Sequence, residues 1–188
     1  MFGHHAIACG VHGERISRHN EICNILYKTA QKAGLGPARE FRGLIPGSAA
    51  RPADIFLRNW DRGRDSALDV TVISPLQAAV VDREAAEPGF ALQYAWDRKM
   101  RAAYDACNAQ RISFIPLPIE TLGGWHPAAI KHIARLGREL SRSPSGISQD
   151  TASKHLFQRL ALSVQKGNAA PILSRSTDIH SYDMLGEY

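Results

Sequence analysis

Apolar runs in the middle of the chain predict a β-hairpin. Apolar residues dominate 53–57 and 67–73, and the polar connection between these runs contains turn-forming residues such as Gly63. Short runs rich in Val, Ile and Leu that flank a polar turn are typical of paired strands. Each predicted strand also carries one aspartate, Asp54 or Asp69. Aspartate is unfavourable inside a strand, so this pair requires a separate explanation.

Helical periodicity predicts four helices around the hairpin, because apolar residues recur every three or four positions. The predicted helices cover 17–33, 91–107, 128–140 and 151–165. Further strands are predicted at 38–41 and 111–120. Two prolines, Pro116 and Pro118, place the second of these strands at an edge or end of the sheet. Residues 76–90 allow either a helix or a loop, since they contain both an apolar start and a helix-breaking Pro-Gly pair.

Breaks in the periodic pattern suggest how the chain is organised. A Cys/His-rich segment, 1–16, precedes the predicted core at 17–140, and 141–168 holds a linker and a last helix that packs on this core. The tail, 169–188, has no periodicity and is predicted to be disordered. The sequence therefore predicts an α/β fold with a small mixed sheet flanked by helices and with extra C-terminal helices.

Composition narrows the class of protein. The 188 residues suffice for one domain with a substantial core, and 44% hydrophobic with 22% charged residues is ordinary for a globular protein. A net charge of +5 and a pI near 9.3 favour an anionic partner. Three cysteines are too few for a disulfide framework. No apolar run suits a membrane span or a signal peptide, so a nuclear or cytoplasmic location is expected.

The two aspartates of the hairpin are candidate metal ligands. Carboxylates on neighbouring strands supply the hard oxygen ligands that Mg²⁺ or Mn²⁺ prefer, and such an ion can promote phosphodiester hydrolysis. The alternative is that Asp54 and Asp69 lie at strand ends and face water. Glu21, near the start of the first helix, is either a further ligand or a solvated acid favoured by the helix dipole.

A lysine and a Cys/His cluster add two further hypotheses. Lys99 lies on the apolar stripe of its helix, where an ammonium group needs an anion unless its stem carries it out to water. The N-terminal cluster offers two thiols and two imidazoles as zinc ligands. Its members are Cys9, His12, His19 and Cys23. The spacing matches no standard zinc finger, and a frayed chain end is the alternative.

The order helix, strand, acid-bearing hairpin, helix with an inward lysine, strand, helix resembles the PD-(D/E)xK, or restriction-endonuclease-like, nuclease core. In that family the first aspartate usually follows a proline directly, and a lysine follows the second acid by two residues. Here Ala53 separates Pro52 from Asp54, and Thr71 stands where the lysine is expected after Asp69. These departures raise the question of whether the site is intact.

Lys99 followed by Tyr104 resembles the variant found in the restriction-like endonuclease domain downstream of the reverse transcriptase in non-LTR retrotransposons, where the lysine lies on the helix. The strings RHNEI, RPADI, DVTV, PIETLGGW and LSVQKGNA carry the same resemblance, which covers about residues 8–170. It implies a metal-dependent endonuclease that nicks DNA for a retroelement, with a reverse transcriptase of the parent polyprotein as a partner. A homodimer is a further expectation, because cutting both strands usually needs two active sites.

The resemblance also implies roles for individual residues. Asp54, Asp69 and Glu21 would hold Mg²⁺ or Mn²⁺, and Lys99 would stabilise the charge that develops on the phosphate. Candidate DNA contacts are polar, aromatic or basic side chains: His19, Asn20, Arg51, Tyr104, Lys131 and Arg135. Helix packing or simple solvation explains several of these equally well. The competing functions are a catalytically decayed nucleic-acid-binding module and a structural fragment of a polyprotein.

Overall fold

A computed structural model of the protein describes residues 13–47, 52–142 and 148–183, and it describes only the backbone of Glu14 and of 174–183. The described residues form a mixed α/β fold. The helices are α1 (Glu14–Lys32), α2 (Val81–Ala86), α3 (Phe90–Ala109), α4 (Pro127–Arg142) and α5 (Gln149–Asp183). The strands are β1 (Ala38–Arg39), β2 (Ile55–Asp61), β3 (Arg64–Ile73) and β4 (Ser113–Glu120). The prediction of a small mixed sheet flanked by helices is confirmed.

The sheet has the strand order β1-β2-β3-β4. Strands β2 and β3 form the predicted antiparallel hairpin, and β4 runs parallel to β3. Strand β4 is at the sheet edge, as its prolines predicted. Pro116 lies opposite Asp69 in the parallel register, and Pro118 lies opposite Thr71. A proline lacks the N–H that a second neighbouring strand would need, so the edge position is the one that this sequence can occupy.

Helices cover both faces of the sheet. On one face, α1 and α4 pack on the sheet and α5 packs on these two helices, around fully buried side chains such as Ile22, Leu117 and Leu160. On the other face, α3 packs on a smaller cluster that includes Phe56 and Cys107. Side chains along a strand alternate between faces, so Leu68 and Val70 join the first cluster while Asp69 faces α3. This alternation decides which helix can reach the second aspartate.

The bounds of the first and last long helices differ most from the predictions. Helix α1 begins at Glu14 rather than at Ser17. The last helix was predicted to end near Lys166, with disorder from residue 169, but α5 continues to Asp183. The reason lies in a close helix contact, because Gly167 lets the backbone of α5 approach the side chain of Arg18. The predicted stop residues Gly167 and Asn168 therefore form a packing surface, and 169–183 lie within α5, where disorder was predicted.

The structure also bears on the predictions for segment 76–90, for the first strand and for a membrane span. The ambiguous segment 76–90 contains the short helix α2, and β1 is shorter than the predicted strand at 38–41. Among the described helices, none combines the length and the apolar character that a membrane span requires. The predictions for 1–12 and for Arg51 lie outside the described residues.

Candidate functional site

The centre of the site is the place where β3 extends past the start of β2. The last strand pair there is Ile55 opposite Leu68. The next residue of β3 that needs a partner on this side is Val70, and its N–H donates to Oδ2 of Asp54 at 2.7 Å. The ring of His19 donates from Nε2 to the Val70 carbonyl at 3.1 Å. Side chains thus replace a strand partner, as buried backbone groups require.

His19 on α1 is also the partner of the Asp54 carboxylate. Its Nε2 lies 3.2 Å from Asp54 Oδ2, and Cys23 Sγ lies 3.7 Å from the same nitrogen. The hydrogen bond to Asp54, followed by the one to Cys23, raises the pKa of His19 to about 11. Burial raises the pKa of the Cys23 thiol. At neutral pH the site therefore contains an imidazolium paired with Asp54 beside a neutral thiol.

The second acid, Asp69, forms an ion pair with Lys99. Lys99 Nζ lies 2.7 Å from Asp69 Oδ2, and Asp69 is only 8% exposed. Burial above all, together with the charge of Asp54, raises the pKa of Asp69 to about 6 against the opposing effect of the Lys99 ammonium. The effect of Asp54 on this pKa places the two carboxylates within electrostatic reach of each other. The inward lysine predicted from the sequence thus contacts an anion.

A cap and an aromatic stack position Lys99. Helix α3 follows Gly89, which adopts a left-handed φ of 91°. The Glu84 carboxylate accepts hydrogen bonds from the N–H groups of Gly89 and Ala91 at 2.7 and 2.6 Å. These bonds satisfy donors that the start of a helix leaves unpaired. One turn before Lys99, Trp96 stacks on a histidine after β4 with centroids 4.5 Å apart. The cap joins the start of α3 to α2, and the stack holds α3 against the turn after β4.

Two overlapping ligand sets share Asp54. One ligand atom from each of His19, Cys23 and Asp54 lies within 4.8 Å of the others. This set of nitrogen, sulfur and oxygen donors suits zinc, and it contains two of the four predicted zinc ligands. The other two, Cys9 and His12, lie outside the described residues. The second set is the predicted pair of oxygen ligands, Asp54 and Asp69, for which Mg²⁺ or Mn²⁺ is expected.

Glu21 lies elsewhere. It is exposed and lines a groove between α1 and α5. Glu21 comes two positions after His19, which corresponds to about 200° around a helix, so the two side chains point to different sides. The structure therefore does not bring Glu21 to Asp54 and Asp69. The alternative of a solvated acid near the helix start fits its exposed position.

The candidate DNA contacts are dispersed. Asn20 is exposed and its Oδ1 lies 3.4 Å from His19 Nδ1. Tyr104 is 43% exposed and lines a second groove, between α3 and α4, together with Lys131. Arg135 is engaged within the protein, because its guanidinium stacks 4.1 Å from the Trp60 ring centroid and donates to the Trp60 carbonyl. Of these residues, only Asn20 and His19 lie beside the acid pair.

Sequence reasoning missed the connection between His19 and Asp54, which are 35 positions apart. It also missed the helix cap from Glu84. An acid shortly before a Pro-Gly break was the available signal for that cap. The assembled site consists of an acid pair, a buried lysine contact and a histidine from three different parts of the fold.

No protein-family model matches the chain, and no curated protein matches it.

Proposed function

We propose that this protein is a metal-dependent endonuclease that cleaves DNA phosphodiester bonds. The observation that carries the proposal is the contact of Lys99 with the buried Asp69, at 2.7 Å, beside a second carboxylate from Asp54. A lysine, an acid on β3 and an acid directly before β2 match the residue types that the family resemblance implies. The order of helices and strands supports a restriction-endonuclease-like core as part of the same proposal.

The donor set fits a divalent ion. Asp69 is largely withdrawn from water, and the charge of Asp54 makes its ionisation harder still. Two partly desolvated carboxylates that repel each other are stabilised by a cation between them. Asp54 and Asp69 would hold Mg²⁺ or Mn²⁺, and such an ion, when bound, polarises a phosphate and acidifies a water.

The remaining groups have separate roles in this proposal. Lys99 orients the Asp69 carboxylate and supplies positive charge where a phosphate in the site becomes more negative. His19 holds Asp54 in place through Oδ2 and simultaneously fixes the free edge of β3 through Val70. The His19 imidazolium and a divalent ion would both bind the Asp54 carboxylate, so the two cations compete for it.

The proposed biological setting is target-site nicking for a non-LTR retroelement. The strings that carry this resemblance include the residues that form the site, since RHNEI contains His19, RPADI contains Asp54 and DVTV begins with Asp69. DNA is the proposed partner, together with a reverse transcriptase of the parent polyprotein. A net charge of +5 suits a polyanionic substrate.

A catalytically decayed DNA-binding module is the second candidate. Thr71 stands at the usual lysine position, is 7% exposed, and its hydroxyl is buried without a hydrogen-bond partner. Asp54 Oδ2 is already engaged by two protein donors. Both observations would follow from a site that no longer binds an ion.

Nicking of supercoiled plasmid in Mg²⁺ or Mn²⁺ separates these candidates. We expect Asp69→Asn and Lys99→Met to lower the nicking rate at least about a hundredfold, since the first removes a proposed metal ligand and the second removes a positive charge beside the reacting phosphate. Lys28→Met is the matched control, because Lys28 is exposed on α1. Absence of nicking, with salt-sensitive DNA binding that neither substitution changes, would instead support the decayed module.

A further inference from the structure

A groove of about 420 Å³ lies between α1 and α5, away from the acid pair. Helix α1 contributes Arg18 to the groove, whereas the adjacent His19 points to Asp54. Helix α5 contributes Ser163 and two cations, Arg159 and Lys166. None of these four groove residues takes part in the proposed nuclease chemistry.

Arg18 is a buried cation with an unused donor. It is 6% exposed, and its Nη1 donates to Asn168 Oδ1 at 2.6 Å. Its Nε is buried and has no hydrogen-bond partner. The Asn168 amide in turn donates to the Thr121 carbonyl at 2.7 Å, so the guanidinium is held in a fixed position. A buried cation with an unsatisfied N–H is costly unless an anion accompanies it.

Ser163 provides a second unused donor in the same groove. It is 7% exposed, and its hydroxyl is buried without a hydrogen-bond partner. A serine inside a helix commonly bonds the carbonyl four residues earlier, and Ser163 does not. Two buried donors that line one groove and have no protein acceptor indicate a ligand with acceptor oxygens.

The charge around the groove favours an anion. Arg18, Arg159 and Lys166 supply three positive charges, and Glu21 supplies one negative charge, so these four residues sum to +2. Within the described part of the chain, Glu21 forms no ion pair with Arg18, although it lies one turn away on the same helix. The acid therefore leaves the Arg18 donor unsatisfied.

We propose that the groove between α1 and α5 binds a phosphate-class oxyanion, with Arg18 Nε and Ser163 Oγ as the buried donors and Arg159 and Lys166 at the rim. A tetrahedral oxyanion carries enough acceptor oxygens to engage both buried donors and a rim cation together. The oxyanion belongs either to a small phosphate compound or to the backbone of a nucleic acid.

The first test is calorimetric titration of the full chain with inorganic phosphate, without divalent ions. Ser163→Ala removes one buried donor and should weaken binding about tenfold, the loss expected for a hydrogen bond to a charged group. Lys166→Gln should weaken it about threefold, as for an exposed ion pair. The matched control is Lys154→Gln, because Lys154 is exposed on the same helix. Arg18→Gln is less suitable, since it also breaks the contact with Asn168.

Competition identifies the source of the phosphate group. A short single-stranded oligonucleotide that displaces inorganic phosphate from wild type, and does so less effectively from Ser163→Ala, assigns the site to a nucleic-acid backbone. Phosphate binding that the oligonucleotide leaves unchanged assigns it to a small phosphate compound. Absence of saturable phosphate binding, or equal binding by wild type and Ser163→Ala, overturns the proposal. Neither measurement depends on DNA cleavage, so failure of the oxyanion proposal leaves the nuclease proposal untouched.

Discussion

Replacing Asp69 by asparagine should make the protein more stable at neutral and alkaline pH while removing the proposed activity. The folded protein holds this carboxylate almost completely buried, and burial raises its pKa from the usual 3.8 to about 6 in spite of Lys99. The unfolded chain ionises the same group freely. Asparagine has nearly the same shape and no charge, so Asp69→Asn removes the penalty of burying that charge.

The pKa difference sets the magnitude and the pH range. Between pH 3.8 and about 6 the folded state binds more protons at Asp69 than the unfolded state does, so stability falls as pH rises. Above pH 6 the penalty is fully present and amounts to about 3 kcal/mol, at 1.36 kcal/mol for each pH unit. Lys99 loses its anionic partner in the variant, which offsets part of the gain. We therefore expect a net stabilisation of about 1 to 3 kcal/mol at pH 8.

Urea unfolding followed by circular dichroism measures this difference directly. Wild type and Asp69→Asn should differ at pH 8 and nearly converge at pH 3.5, where wild-type Asp69 is mostly protonated in both states. Asp105→Asn, an exposed position on α3, should change stability little at either pH. A variant that is less stable than wild type at pH 8, or a difference that does not depend on pH, would refute the reasoning.

Three further predictions concern stability. The pKa of His19 is raised from 6.5 to about 11, so its contribution to the free energy of unfolding is full below pH 6.5 and declines as pH rises. In urea unfolding, His19→Asn should flatten the loss of stability that wild type shows between about pH 7 and 10. The same slope of stability against pH in both proteins would contradict this prediction. Burial lowers the pKa of His132, which accepts a hydrogen bond from Trp60 Nε1, from 6.5 to about 4. The free energy of unfolding should therefore fall by up to about 3 kcal/mol from pH 6.5 to 4, and His132→Asn should reduce that fall. An equally steep fall in the variant would contradict this prediction. A Cβ at position 137 would lie 2.6 Å from the Ser153 backbone of α5, so Gly137→Ala should lower the thermal midpoint by the equivalent of about 1 to 3 kcal/mol. The control Gly13→Ala should have little effect, because a Cβ at position 13 would have no atom within 4 Å. Equal midpoints for the two variants would show that the helices separate easily.

Local patterns predicted the elements of the fold well, because alternation and helical periodicity report directly on buried faces. The two prolines of β4 predicted its edge position, since a proline has no N–H for a second neighbour. The apolar stripe of α3 predicted an inward Lys99, and the structure shows its anion. Each of these inferences needs only a few neighbouring residues.

Long-range contacts account for the differences between the sequence-based predictions and the structure. Gly167 and Asn168 are helix-stopping residues by local propensity, yet Gly167 admits Arg18, which lies about 150 positions earlier, and Asn168 bonds it. The contact between His19 and the hairpin likewise depends on how α1 packs. Glu21 was predicted to be either a further metal ligand or a solvated acid, and helix geometry points it towards α5. Such pairings arise from tertiary packing and leave no local pattern.

The most direct test of the proposed metal site is titration of the protein with Mn²⁺, followed by electron paramagnetic resonance of the free ion, without DNA. The wild type should bind Mn²⁺ saturably, and both Asp54→Asn and Asp69→Asn should weaken binding at least about tenfold, because each removes a carboxylate ligand. Asp105→Asn should bind like wild type. Absence of saturable binding, or binding that neither variant weakens, would contradict the claim that the two aspartates form one metal site.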